Sequence, residues 1–285
     1  MKVLVTGVKG QLGYDVVNEL NQRGHIAVGV DIEEMDITDE QAVRSTILSV
    51  RPDAVVHCAA WTAVDMAEDE DKKDKVRAVN ALGTGYIADA CKAIGAKMAY
   101  ISTDYVFDGT GETAWTPDCK AYAPLNHYGQ TKLEGELAVS STLDKYFIVR
   151  IAWVFGENGN NFIKTMLNLG KKYDTLRVVC DQVGTPTYTF DLARLLVDMI
   201  ETEKYGYYHA TNEGGYISWY EFACEIFRQA GYATKVVPVT TAEYGVSKAK
   251  RPFNSRLDKE KLSEAGFERL PTWQDALHRF LQKVN

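Results

Sequence analysis

The sequence predicts an α/β protein, a doubly wound parallel sheet followed by a smaller, mostly helical C-terminal lobe. Three observations carry this. Short apolar runs recur through residues 1–154, each parted from the next by a stretch of helical period. The first run leads into glycines spaced three apart, Gly7, Gly10 and Gly13, where a helix begins. After Val154 the alternation gives way to a series of helices.

Taken in order, Lys2–Thr6 reads as a buried strand and 11–23 as a helix stopped by Gly24. A second strand covers 26–31. The next helix, 39–50, starts at Thr38 or Asp39 as cap. Residues 54–59 form a third strand, 74–94 a long helix closed by Gly95, and 97–102 a fourth strand. Helix 128–140 and strand 147–152 follow. Apolar strands separated by helices require a sheet covered on both faces. Beyond it, 158–161 is a loop, and 162–172, 190–201, 218–230 and 272–283 are helices. Ser218 and Glu221 have capping-box spacing. The expected division is 1–154 for dinucleotide binding and 155–285 mainly for substrate. Two short strands, 176–179 and 206–210, are candidates for rejoining the main sheet. The mixed-charge run 68–75 reads as a solvated helix start or loop.

Composition narrows the function. The 285 residues carry a net charge of −7, which argues against nucleic acid or an anionic membrane as partner. No apolar run approaches a membrane span. Five cysteines, at 58, 91, 119, 180 and 224, form no C-x-x-C pair. This predicts a reducing compartment, no disulfide framework and no metal site. With no leader-like segment before the first strand, a cytoplasmic protein is expected.

The chemistry centres on Tyr128 and Lys132. Four apart on a helix, they share a face. A lysine there can tune a phenol that passes a proton to a carbonyl oxygen while a hydride reaches the carbon. The spacing alone is weak, since Tyr244 and Lys248 repeat it in a segment that reads as a surface turn or helix end. Context favours the first pair. Thr103 ends the fourth strand, where open α/β sheets bind ligands. The glycine turn supplies a phosphate cradle of backbone N–H groups at a helix N-terminus. Asp31, at the end of the second strand, suits a ribose and repels a 2′-phosphate. Glu33 and Glu34 add to that charge, so NADH is expected to serve at least as well as NADPH. Trp153 is an aromatic wall or a core residue, and Asn80 and Asn126 are polar groups near the presumed site. His57 and Cys58 sit in an apolar strand and read as core. Lys248, Lys250, Arg251 and Arg256 form a basic run suited to a diphosphate, or to solvent.

These motifs and the strings around them resemble the extended short-chain dehydrogenase/reductases, and among them the dTDP-4-dehydrorhamnose reductase family. The resemblance runs over Val5-Thr-Gly-Val-Lys-Gly-Gln-Leu-Gly13, Ser102-Thr-Asp-Tyr-Val-Phe-Asp-Gly109, Pro124-Leu-Asn-His-Tyr-Gly-Gln-Thr-Lys-Leu-Glu-Gly-Glu136, Arg150-Ile-Ala-Trp-Val-Phe155 and Arg251-Pro-Phe-Asn-Ser-Arg-Leu-Asp258. It implies a Rossmann-like domain and NADH- or NADPH-dependent reduction of a 4-keto group in a dTDP-sugar. It implies Tyr128 as proton donor, Lys132 on the nicotinamide ribose lowering the Tyr128 pKa, and Thr103 orienting the carbonyl. Gly7, Gly10, Gln11 and Leu12 would hold the pyrophosphate. Asp36 and Ile37 would lie by the adenine, Cys58, Ala59 and Ala60 would border the cofactor, and Asn80 would complete the framework. Asp104, Asn126, Trp153 and Arg251 would face the substrate. Dehydratases of this fold place Asp-Glu after the threonine, whereas Asp104-Tyr105 stands here, which argues for simple reduction. A reductase or epimerase of another 4-keto-6-deoxy sugar, and a non-catalytic regulatory subunit, are the competing expectations. A homodimer is possible.

Overall fold

The computed structural model describes residues 1–284. Five strands, β1 (Lys2–Thr6), β2 (Ile26–Val30), β3 (Ala54–His57), β4 (Lys97–Thr103) and β5 (Tyr146–Ile151), build a parallel sheet. Gly206–His209 joins it as a sixth strand beside β5, so the order is Gly206–His209, β5, β4, β3, β1, β2. The carboxyl ends of β1, β3 and β4 therefore point the same way, toward the site.

Strand side chains alternate, so each strand serves two cores. Val3 and Val5 face the layer made by the Gln11–Gln22 and Thr189–Ile200 helices, through Val16, Leu20, Leu192, Leu196 and Met199. Leu4, Val55, Met98 and Ile148 face the other layer, with Val43, Ile47, Ile87 and Val139 from the remaining helices. The inner strands β1, β3, β4 and β5 are buried on both faces for this reason, whereas β2 lies at the sheet edge with Ile26 exposed.

The chain thus crosses back after the fifth strand. Gly206–His209 and the Thr189–Ile200 helix belong to the sheet layers, the helix because its apolar residues seal one face. Thr175–Val179 does not rejoin the main sheet; it pairs in parallel with Lys235–Val239 in the lobe. The lobe has its own core of Phe155, Ile163, Met166, Phe222, Phe227, Trp273 and Phe280. Its Trp219–Ala230 helix starts with the predicted capping box, Ser218 accepting from Glu221 N–H and Glu221 accepting from Ser218 N–H.

The helix expected over 74–94 is broken. Lys73–Arg77 runs into a π-helical turn, Ala78–Leu82, before Gly83–Ile94. A π turn adds one residue to the helical ring and re-aims its side chains. Here it turns Asn80 into the interior, 1% exposed. Gly83 is required just after it, because a Cβ would stand 2.6 Å from the Ile37 carbonyl oxygen. Among the described residues no helix is long and apolar enough to cross a membrane.

Candidate active site

The glycine turn follows directly from β1. Gly7 takes φ +70°, and its N–H donates to Val30 O at 2.9 Å. A Cβ on Gly7 would lie 2.8 Å from the Ala59 backbone, and one on Gly13 would strike the Gly7 carbonyl. The turn and the Cys58–Ala60 loop therefore touch backbone to backbone, pinned further by Ala59 N–H donating to Thr6 Oγ1 at 3.1 Å. Gly10 caps the Gln11–Gln22 helix without a side chain, so the helix N-terminus presents bare N–H groups. Such a cradle fits a dinucleotide pyrophosphate.

Asp31 lies at the mouth of this turn. Its carboxylate accepts from Lys9 N–H at 3.0 Å and from Ile32 N–H at 2.9 Å. Lys9 pairs with Glu33. Asp36 accepts from the Thr38 N–H and hydroxyl, and Ile37 is buried beside it. The lobe closes the other side. Asn158 donates to Lys9 O at 2.7 Å, and Asn161 donates to Gln11 Oε1 at 3.0 Å. No sequence signal had given these two asparagines a role, because their partners lie about 150 residues away in the chain.

Thr103, Tyr128 and Lys132 converge at the end of β4. Thr103 is 5% exposed and donates to Asp104 Oδ1 at 3.0 Å. The Tyr128 phenol lies beside the Thr103 hydroxyl. Tyr105 packs edge-on against the Tyr128 ring at 5.6 Å. Burial pushes the phenol well above its ordinary range, and the nearby Asp104 carboxylate adds to this. Burial also lifts Asp104 to about 6, opposed by hydrogen bonds from Ser255 and Thr103. Its Oδ2 is enclosed and has no hydrogen-bond partner among the described residues.

Lys132 is 3% exposed. Its ammonium donates to Ile101 O at 2.7 Å and lies 4.1 Å from the centre of the Tyr100 ring. Desolvation lowers it to about 7, while Glu136 and Cys58 act in the opposite sense. The Tyr128 phenol is thus raised by its surroundings.

Asn80 uses both amide donors and its carbonyl oxygen, and Asn126 uses one donor and its carbonyl oxygen. Asn80 accepts from Trp61 N–H at 2.8 Å and donates to Trp61 O and Thr131 Oγ1, each at 3.2 Å. It ties the loop after β3 to the helix carrying Tyr128. Asn126 caps that helix through Gly129 N–H at 2.8 Å and donates to Lys250 O at 2.8 Å. Both amides position other groups, and the second N–H of the Asn126 amide is uncommitted among the described residues. His57 bridges Thr6 and Thr84, and burial drives it down to about 3, neutral as befits a core residue. The half-buried Cys58 thiol is pushed up to about 12 by desolvation.

Trp153 takes φ +50°, a costly conformation for a bulky residue. Its ring stacks on Trp219 with centres 3.8 Å apart, joining sheet domain to lobe. Arg251 forms an ion pair with Asp65 at 2.7 Å and reaches Tyr105 Oη at 3.3 Å, which brings it to the Tyr128 side of the cleft. The rest of the basic run disperses: Lys248 pairs with Asp69, and Arg256 lies over the Tyr216 ring. Tyr244 ends the short Thr241–Tyr244 helix and is exposed, far in role from Tyr128.

Comparison with known proteins agrees with this geometry. The family model described as the RmlD substrate binding domain matches residues 1–285. The chain is similar to the spore coat polysaccharide biosynthesis protein SpsK of Bacillus subtilis, 41% identical with 99% of this chain and 97% of that protein covered. It is similar to the crystal structure of a dTDP-4-dehydrorhamnose reductase from Clostridium acetobutylicum, with a TM-score of 0.95 and 42% identity over 99% of both chains. It is also similar to that of Bacillus anthracis in complex with NADP, with a TM-score of 0.94 and 41% identity over 100% of both. By its whole length, its sheet order and its strand-end hydroxyl with paired tyrosine and lysine, the chain belongs to the dTDP-4-dehydrorhamnose reductase family of extended short-chain dehydrogenases/reductases.

Proposed function

We propose that this protein reduces the 4-keto group of dTDP-4-dehydro-L-rhamnose to give dTDP-L-rhamnose, using a nicotinamide cofactor. The observation that carries this is the meeting of Thr103, Tyr128 and Lys132 at the carboxyl end of β4, beside a glycine turn shaped for a pyrophosphate. Family membership supports it.

The bound cofactor supplies the hydride that the carbonyl carbon accepts. The chain's residues do the rest. The free N–H groups of Gln11 and Leu12 would hold the pyrophosphate, with Gly7 and Gly10 giving the approach. Asp31 holds a ribose, Asp36 and Ile37 flank the adenine, and Cys58, Ala59 and Ala60 border the nicotinamide half. Tyr128 gives its phenolic proton to the carbonyl oxygen, and its raised pKa keeps that proton in place until the oxygen needs it. Thr103 orients the same oxygen. Lys132, as a cation, takes a ribose hydroxyl and stabilises the phenolate left on Tyr128. Asp104, Trp153 and Arg251 line the substrate side; Arg251 has the fork that suits a diphosphate. NADH is used at least as well as NADPH, because Asp31, Glu33 and Glu34 cluster where a 2′-phosphate would stand. The sheet layers carry the cofactor and the lobe carries the sugar nucleotide.

The test is turnover of dTDP-, UDP- and GDP-linked 4-keto-6-deoxy sugars with NADH and with NADPH, followed at the nicotinamide absorbance. Stoichiometric cofactor oxidation with the dTDP-sugar is the expected result. Turnover without net oxidation would mark an epimerase, and no turnover with any sugar would mark a binding protein.

A further inference from the structure

Directly behind the cleft lies a buried ion pair that the reaction as described does not use. Glu136 follows Lys132 by one helical turn and shares its face. Both partners of the pair, Glu136 and Arg150, have wholly buried side chains. Arg150 donates in two-pronged fashion, Nε to Oε1 at 2.8 Å and Nη2 to Oε2 at 2.7 Å. Its remaining donors go to Pro117 O at 3.1 Å, Tyr122 Oη at 3.1 Å and His209 Nε2 at 3.4 Å. Phe107, Tyr122 and Tyr207 box the guanidinium at 4.9–5.4 Å from their ring centres.

A fully desolvated pair is rarely kept for stability, because apolar residues of equal volume do as well or better. We propose that Glu136 is a positioning residue for the reaction, the buried counter-charge that keeps the Lys132 ammonium charged, with Arg150 fixing its carboxylate in place. The inference rests on the reductase reading for the use it gives to Lys132.

The groups facing Lys132 leave this duty to Glu136. On its own helix these are Tyr128 and Glu136. From β4 come the Tyr100 ring and the Ile101 carbonyl, both neutral. From the end of β3 come His57, held neutral, and Cys58, held as the thiol. Glu136 is therefore the one carboxylate among the groups named. Burial brings Lys132 down to about 7, and Glu136 is the larger of the influences opposing it. The sign follows. A function that needs the cation is lost as pH rises through that value, and removing the Glu136 charge moves the loss to lower pH.

Glu136→Gln alone would strand the Arg150 charge and endanger the fold. The informative proteins are the double variant Glu136→Gln/Arg150→Met, which removes the pair together, and Glu136→Asp, which keeps the charge. Thermal unfolding without cofactor checks the fold. Fluorescence titration with NADH from mildly acidic to alkaline pH reads the Lys132 charge without any sugar, and turnover is measured in parallel. The double variant should unfold near the parent temperature. Its binding limb should shift about one pH unit lower, roughly tenfold weaker binding at a given alkaline pH. Glu136→Asp should keep the parent limb. A folded double variant with the parent limb overturns the proposal, as does Glu136→Asp shifted as far as the double variant. If the double variant does not fold, Glu136→Asp decides by the same criterion. A parent that binds NADH with this limb but reduces no sugar refutes the reductase reading and leaves the charge assignment standing.

Discussion

Tyr128→Phe removes one hydroxyl and keeps the ring that packs against Tyr105. Reduction should fall roughly 10²–10⁴-fold, the usual worth of a positioned general acid, with NADH affinity almost unchanged. Tyr244→Phe should leave turnover at the parent rate, because that ring is exposed at the end of a short surface helix. Steady-state kinetics on both variants decides; equal losses would remove Tyr128 from its role. Asp31 carries the cofactor preference. An unscreened like-charge contact costs about 1 kcal/mol at 4 Å even in water, several-fold in affinity. Asp31→Ala should narrow the NADH advantage in kcat/KM. A parent that prefers NADPH tenfold would show that Asp31 does not govern the choice. At this scale the sequence was legible wherever residue type and spacing carry the chemistry, as with Thr103, Tyr128, Lys132 and the three glycines. It was illegible for Asn126, whose partners are a helix start and the distant Lys250 carbonyl. An asparagine before a helix is a cap by local rule; only the fold shows that this cap also reaches the Lys250 carbonyl.

Among the elements, strands and most helices could be read from period, because burial on two faces leaves an unbroken apolar run. Two features escaped. Thr175–Val179 has the composition of any short strand, and which sheet it joins depends on Lys235–Val239, some sixty residues later. The π turn at Ala78–Leu82 leaves the helical pattern intact on either side, so period analysis passes over it. Its effect is local and testable. Asn80 joins the loop after β3 to the catalytic helix through three hydrogen bonds, one buried and two partly so, and Asn80→Ala strands the Trp61 N–H and carbonyl. The expected cost is on the order of 2–4 kcal/mol, from lost bonds and unpaired buried groups. Urea denaturation measures it. The same variant should bind NADH less tightly, because the Cys58–Ala60 loop that meets the glycine turn is released. Parent stability in Asn80→Ala would mean that the π turn is held by packing alone.

Across the whole molecule, packing takes two carboxyl groups out of water, one between helices of the sheet layers and one between sheet domain and lobe. Asp15, on the Gln11–Gln22 helix, is 6% exposed and accepts from Thr189 Oγ1 at 2.5 Å. Asp104 is 2% exposed and faces Thr103, Tyr105 and Tyr128 from the sheet side and Ser255 from the lobe. Burial raises each from 3.8 to about 6. The sign of the linkage follows from the raised value. Below the unfolded value both carboxyls are protonated in either state and cost nothing. Between that value and about 6 the unfolded chain releases these protons while the folded protein keeps them, so stability falls, and above about 6 the loss is complete. Asp104→Asn keeps the shape and cannot ionise. The unfolding temperature of Asp104→Asn minus that of the parent should be near zero at acidic pH, grow through pH 4–6 and level off above that window. A plateau on the order of 2–3 kcal/mol corresponds to roughly 5 °C or more for a chain of this size. The gain should come with slower reduction, since the carboxyl sits beside the Tyr128 phenol and holds the Thr103 hydroxyl. Calorimetry of parent and variant across this range is the measurement. A difference independent of pH would show that Asp104 is ionised without cost in the folded protein. A stabilised variant with full activity would show that its buried charge serves neither the fold nor the reaction.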